Sequence, residues 1–186
     1  MTPEPAAAEA VDAPIAGFSQ CHVGILAQLQ SFARLPELLA PAAEARRIAD
    51  QTVSFFQHAV QEHHAEEERE LFPAVLASAV RGEERQRVQA LVERLVAEHR
   101  QVEAAFRRIE GPMKAISRGL AAELDAATVA EIVARYEAHA RFEESDFLPL
   151  AQQILGRNDN HMAALGLSLH LRHSVPEALR RYAARI

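Results

Sequence analysis

The amino-acid sequence predicts an all-α protein: an antiparallel up-down four-helix bundle with additional C-terminal helices. Three observations lead there. Apolar residues recur at spacings of three and four through most of the chain, and no segment alternates as a half-buried strand does. Glycine and proline fall between these periodic stretches and divide them. The 186 residues are 49% hydrophobic and 25% charged, an ordinary globular balance with enough length for one sizeable core.

Residues 1–14 are acidic, lack the basic start of a secretory signal and are expected to form a disordered tail. A first helix is expected from Ile15 to Pro36, with Phe18, His22, Ile25, Leu29 and Phe32 on one stripe. The second runs from Ala42 to Arg81 and stops at Gly82. The third runs from Glu84 to Glu110, aligns Leu91, Leu95, His99, Val102 and Phe106, and ends at Gly111-Pro112. A short helix is expected across "MKAISRGLAAEL". The fourth starts after Asp125, a good N-cap, and ends at Gly156. Short connections between long amphipathic helices make an antiparallel bundle over residues 15–156. Residues 157–186 read as a C-terminal helical extension, with Ser174 and Glu177 at capping-box spacing.

Composition excludes several function classes. A net charge of −6 argues against general affinity for nucleic acid or an anionic membrane surface. No apolar run approaches the ~20 residues of a membrane-spanning helix. Cys21 is the only cysteine, so no internal disulfide can form and a reducing cytoplasm is the expected location. Cys21 itself is expected to be a small buried hydrophobe.

The second and fourth helices repeat each other. "HHAEEERELFPA" at residue 63 matches "HARFEESDFLPL" at residue 139, so the offset is 139 − 63 = 76. His63 pairs with His139, Glu67 with Glu143, Glu68 with Glu144 and Pro73 with Pro149. Helical spacing puts Val53, Phe56, Val60, His63, Glu67 and Leu71 on one side, and the matching set on the fourth helix. Each apolar stripe thus carries a histidine and a carboxylate, with no lysine or arginine to neutralise it. Burying a carboxylate alone costs several kcal/mol, on the order of a lost ion pair. Stripes on the other two helices supply His22 and His99. At ~1.5 Å of rise per residue, Glu67 lies about 22 Å before the Gly82 turn and His99 about 25 Å after it, so the groups meet at one height. Four imidazoles and two carboxylates suit two cations, each held by two histidines, with both glutamates bridging. Mixed nitrogen and oxygen ligation favours two iron ions; manganese and zinc are the alternatives.

At these residues the chain resembles the haemerythrin-like (HHE cation-binding) family. The two segments look like the family's H-x-x-x-E-E-x-x-[LF]-[LF]-P motifs, and His22 in "CHVGILAQL" and His99 in "AEHRQVEAAF" match its first- and third-helix histidines. The resemblance covers residues 15 to 156 and implies a four-helix bundle with a non-haem, carboxylate-bridged di-iron centre. The implied ligands are His22, His63, Glu67, His99, His139 and Glu143. Oxygen-carrying members have two third-helix histidines four residues apart; here Leu95 and Glu103 stand four residues from His99. The set is also similar to that of di-iron proteins that repair iron–sulfur centres, which usually carry a further N-terminal cysteine-bearing segment.

The remaining polar residues have plainer readings. Glu68 and Glu144 sit about 100° around the helix from the proposed ligands, as solvated residues, long-reaching ligands or acceptors that orient a histidine. His64, His58 and Glu103 are expected at the surface. Tyr136, one turn before His139, packs in the core or hydrogen-bonds a ligand at the metals. His170 and His173 form an incidental pair, and His161 carries no signal. The expected guest is a small diatomic or peroxide ligand, admitted past an apolar lining of Ile25, Phe56, Leu95, Val102 and Phe147. Alternatives are iron donation to an accepting protein and a non-catalytic helical interaction module.

Overall fold

The computed structural model describes residues 12–157, with side chains from residue 20 onward. Residues 1–11 of the expected tail and the extension from residue 158, including His161, His170 and His173, lie outside the described residues. The chain divides into two compact units, Met1–Arg46 and Arg47–Ile186.

Every regular element among the described residues is helical: α1 Asp12–Ser54, α2 Gln61–Glu66, α3 Phe72–Ser78, α4 Glu83–Ser117, α5 Ala126–Phe142 and α6 Leu148–Leu155. Wider π-helical turns join α1 to α2 over Phe55–Val60, α2 to α3 over Glu67–Leu71 and α5 to α6 over Glu143–Phe147. No described helix is long and apolar enough to cross a membrane.

The break expected between the first and second helices does not occur, because α1 runs through Pro36 and Pro41. Each proline removes one intrahelical bond, to the carbonyls of Phe32 and Glu37, and both of those residues are exposed. Within the amino-terminal unit the stripe residues Ile25, Leu29 and Phe32 are exposed, and so is Cys21, contrary to the burial expected of it. The third helix also outruns its expected end: α4 passes Gly111-Pro112 and stops at Ser117. Met113 continues the stripe of Ile109 into the core, and that packing outweighs the bond lost at Pro112. No helix spans residues 120–124, where the short helix was expected to end.

The internal repeat survives as a structural repeat. The π-helical turns at Glu67–Leu71 and Glu143–Phe147 are offset by 143 − 67 = 76 residues, the offset of the sequence motif. Each precedes a proline at the start of the next helix, Pro73 or Pro149. A widened turn gives room to a ring that would otherwise strike the preceding carbonyl, and it re-aims the glutamate at its start. Asp125 caps α5 as expected, accepting from the backbone N–H groups of Ala127 and Thr128.

Two apolar clusters fill the second unit. One joins Phe72, Val75, Val88, Leu95, Phe147 and Ile154; the other joins Val53, Ala105, Phe106, Ile109, Met113 and Ile132. Along α4, Val88 and Leu95 belong to the first cluster and Phe106 and Ile109 to the second. His99 lies between them, so the polar residues form a layer enclosed by greasy ones.

Candidate metal centre

Three stretches of the chain bring five buried polar residues into that layer. The α2 segment and the π turn after it supply His64 and Glu67, α4 supplies His99, and α5 and the turn after it supply His139 and Glu143. Their exposures are 1%, 5%, 0%, 2% and 7%. Four of the residues nominated by the sequence, Glu67, His99, His139 and Glu143, therefore share one site. His63 borders it with its side chain 47% exposed. His22 lies in the amino-terminal unit and is exposed there.

The side chains fall into two groups, each with candidate ligand atoms within 4.8 Å of one another: His64, His99 and His139, all buried, and His63, Glu67 and Glu143. Glu67 links them. Its Oε1 lies 3.3 Å from His63 Nε2, and its Oε2 lies 3.3 Å from His99 Nε2. His139 Nε2 lies 3.9 Å from Glu143 Oε2. The His64 and His99 rings stack with centroids 3.8 Å apart, and His139 meets His99 edge-on at 4.8 Å.

The two nitrogens of each buried histidine are in opposite situations. Every Nδ1 faces a carboxylate: His64 to Glu103 at 3.3 Å, His99 to Glu68 at 2.9 Å and His139 to Glu98 at 3.2 Å. Every Nε2 is buried without a hydrogen-bond partner among the described residues, and so is Glu67 Oε2. Buried polar atoms are seldom left so, because desolvation then goes uncompensated. With Nδ1 as the donor, each Nε2 presents a lone pair, and lone pairs facing a carboxylate oxygen repel unless a cation lies between them. The donor set fits a metal on those grounds.

Ionisation follows the same crowding. Burial, then neighbouring His99, pushes His64 down to about 3. Burial opposes protonation of His99 as well, but contact with Glu67 and Glu68 more than reverses it and raises its pKa. Burial, then Glu67, pushes Glu143 up to about 8, while Glu67 is held below the usual range because His99, Glu143 and His63 outweigh its burial. The layer thus separates charge among groups too close to ionise independently. Tyr136 packs beside His64 and His139, with ring centroids 6.2 and 6.0 Å away, and burial raises its hydroxyl.

A sequence model of the Hemerythrin HHE cation binding domain matches residues 13–151. The chain belongs to this family. No curated protein and no solved structure matches the chain. Membership makes the haemerythrin domain a cation-binding one, and the histidine–glutamate layer is a place that can hold metal.

Two expectations for this domain need correction. His64, expected at the surface, is among its most deeply buried side chains, while His63 is the more exposed of the pair. Both flank the direction of Glu67, which lies three residues beyond one and four beyond the other, so periodicity alone cannot choose between them. Glu103, also expected at the surface, is part-buried and bonded to His64, while Glu68 takes the histidine-orienting one of its expected readings, bonded to His99. Glu98 was not singled out; its signal in the sequence is Arg94 four residues earlier, which holds its Oε1 at 2.7 Å. Glu144 and His58 are exposed as expected. Of the expected apolar lining, Leu95, Val102 and Phe147 are buried, Phe56 is half-buried against Phe106, and Ile25 is exposed.

Proposed function

We propose that this haemerythrin domain holds two non-haem iron ions and binds or reacts with a small ligand such as oxygen, nitric oxide or peroxide, in sensing, scavenging or redox protection. The observation that carries the reading is the set of three buried Nε2 atoms without hydrogen-bond partners among the described residues, beside the linking carboxylate Glu67. His64, His99 and His139 would hold one ion, His63 and Glu143 the other, and Glu67 would serve both. His22 enters as a further ligand on the strength of the sequence motif alone. Iron supplies one-electron chemistry and open positions for a small guest. The chain's own residues orient the imidazoles, supply negative charge and, through Leu95, Val102 and Phe147, keep bulk water away on one side.

One observation favours a second reading, iron donation. A cavity of about 370 Å³ lies on the carboxylate side, bordered by His63, Glu66, Glu67, Glu143, Glu144 and Leu148. An ion there would be more exchangeable than one among the buried histidines. Transfer of iron to an acceptor lacking its cluster would support donation; a stable adduct or turnover with oxygen, nitric oxide or peroxide would support the first reading.

The deciding experiment is metal content with visible spectra of freshly purified protein, reduced and oxidised, beside the Glu67→Ala/Glu143→Ala double variant. The wild type should hold two irons and the double variant should keep its helices while losing the pair. Retention of both irons by the variant would refute the assignment.

A further inference from the structure

We infer that Glu68, Glu98 and Glu103 are positioning residues of this centre: each accepts the Nδ1–H of one buried histidine and so fixes the tautomer whose Nε2 lone pair faces inward. The inference rests on the metal-binding reading. Its geometry is threefold, with His99 held by Glu68, His139 by Glu98 and His64 by Glu103, at 2.9, 3.2 and 3.3 Å. All three pairs bridge segments distant in sequence. Glu68 and Glu103 tie the stretch around α2 to α4 in both directions, and Glu98 ties α4 to α5.

The carboxylates are themselves held. Arg100 bonds Glu68 and also reaches Glu103 at 3.3 Å. Arg94 bonds Glu98 at 2.7 Å, and its guanidinium lies 3.4 Å from the centroid of the Phe142 ring. A partly exposed glutamate has many rotamers; an arginine on the second oxygen of Glu68 and of Glu98, and on the same Oε1 that meets the histidine in Glu103, selects the one that meets the histidine. The sequence Arg94, Glu98, His99, Arg100, Glu103 therefore carries a ligand with the carboxylates and cations that aim its neighbours.

The chemistry gives a specific test. A carboxylate only accepts, whereas glutamine can donate through its NH₂ and permit the opposite tautomer, which would put a proton on Nε2. Glu68→Gln, Glu98→Gln and Glu103→Gln keep the shape and alter only this constraint. Full-length variants would be titrated with cobalt(II) against a chelator, with the visible absorption of the bound ion recorded. Glu93→Gln, an exposed charge change on α4, is the control. We expect affinity to fall about 10- to 100-fold for each variant, with a changed absorption envelope, while Glu93→Gln matches wild type. A merely structural role would lower the melting temperature without moving the spectrum, and that result would overturn the inference. So would wild-type affinity and spectrum in all three variants when the wild type binds cobalt; a wild type that binds none would overturn the metal-binding reading as well. If a glutamine variant does not fold, Arg100→Gln releases Glu68 and Glu103 without removing them, and wild-type affinity there would count equally against it.

Discussion

His64 and His99 lie face to face, their ring centroids 3.8 Å apart and their planes within 3° of parallel. The contact joins residues from two helices and points both Nε2 atoms into the same dry layer, each without a hydrogen-bond partner among the described residues. Two stacked imidazoles cannot both be cations at this distance without strong repulsion. Burial and the neighbouring His99 settle this by keeping His64 neutral.

His64 and His63 should therefore differ sharply. His64→Ala is expected to remove the metal held among the three buried histidines, whereas His63→Ala weakens only the ion on the cavity side. Metal counts by elemental analysis, with exposed His58→Ala as control, check this. A larger loss from His63→Ala than from His64→Ala would reverse the assignment of the two histidines.

Metal should also stabilise the fold, because the unfolded chain has no preformed site. At a free metal concentration about 100 times the dissociation constant, binding adds about 2.7 kcal/mol. Chelator-treated protein should melt several degrees lower than reloaded protein, and the difference should vanish in the Glu67→Ala/Glu143→Ala variant. Calorimetry with and without chelator measures it.

Asp125 should give an acid-dependent contribution away from the metal centre. Bonds from the Thr128 hydroxyl, the Thr128 N–H and the Ala127 N–H hold its carboxyl below the ordinary 3.8. A folded pKa lowered in this way contributes stability above the unfolded value and loses it as pH falls through the folded one. Asp125→Ala should lower the melting temperature at neutral pH, and the gap to wild type should narrow as pH falls below the ordinary 3.8 and through the lowered folded value. A gap that stays constant across that range would remove the cap's charge from the account.

Leu95 tests whether the layer depends on its apolar support. It is fully buried one turn before His99. Leu95→Ala should cost about 2–5 kcal/mol in urea unfolding, while exposed Val80→Ala should stay within about 0.5 kcal/mol. A loss of less than about 1 kcal/mol at Leu95 would mean that the cluster can collapse around the cavity.

Gly82 tests the turn before α4. Its φ of 103° is a conformation that side chains rarely adopt, and an added Cβ would meet nothing within 4 Å. Gly82→Ala should cost about 1–3 kcal/mol from backbone strain alone. No change in the unfolding midpoint would show that this turn relaxes without penalty.

Much of this was legible in the sequence. Apolar periodicity fixes the all-helical class, and Asp125 marks the start of a helix because its side chain serves orphaned N–H groups locally. The repeat at 76 residues places Glu67 and Glu143 in equivalent settings, because two patterns with matching histidine, glutamate and proline positions meet the interior in the same register. Those determinations need only neighbours along the chain. Helix ends at Pro36, Pro41 and Pro112 needed more, because a lost bond is weighed against packing that the sequence does not display. The burial of His64 rather than His63, and the attachment of Glu68, Glu98 and Glu103 to three histidines, needed the tertiary structure. Adjacent residues differ by only about 100° around a helix, and which direction is inward depends on where the other helices stand.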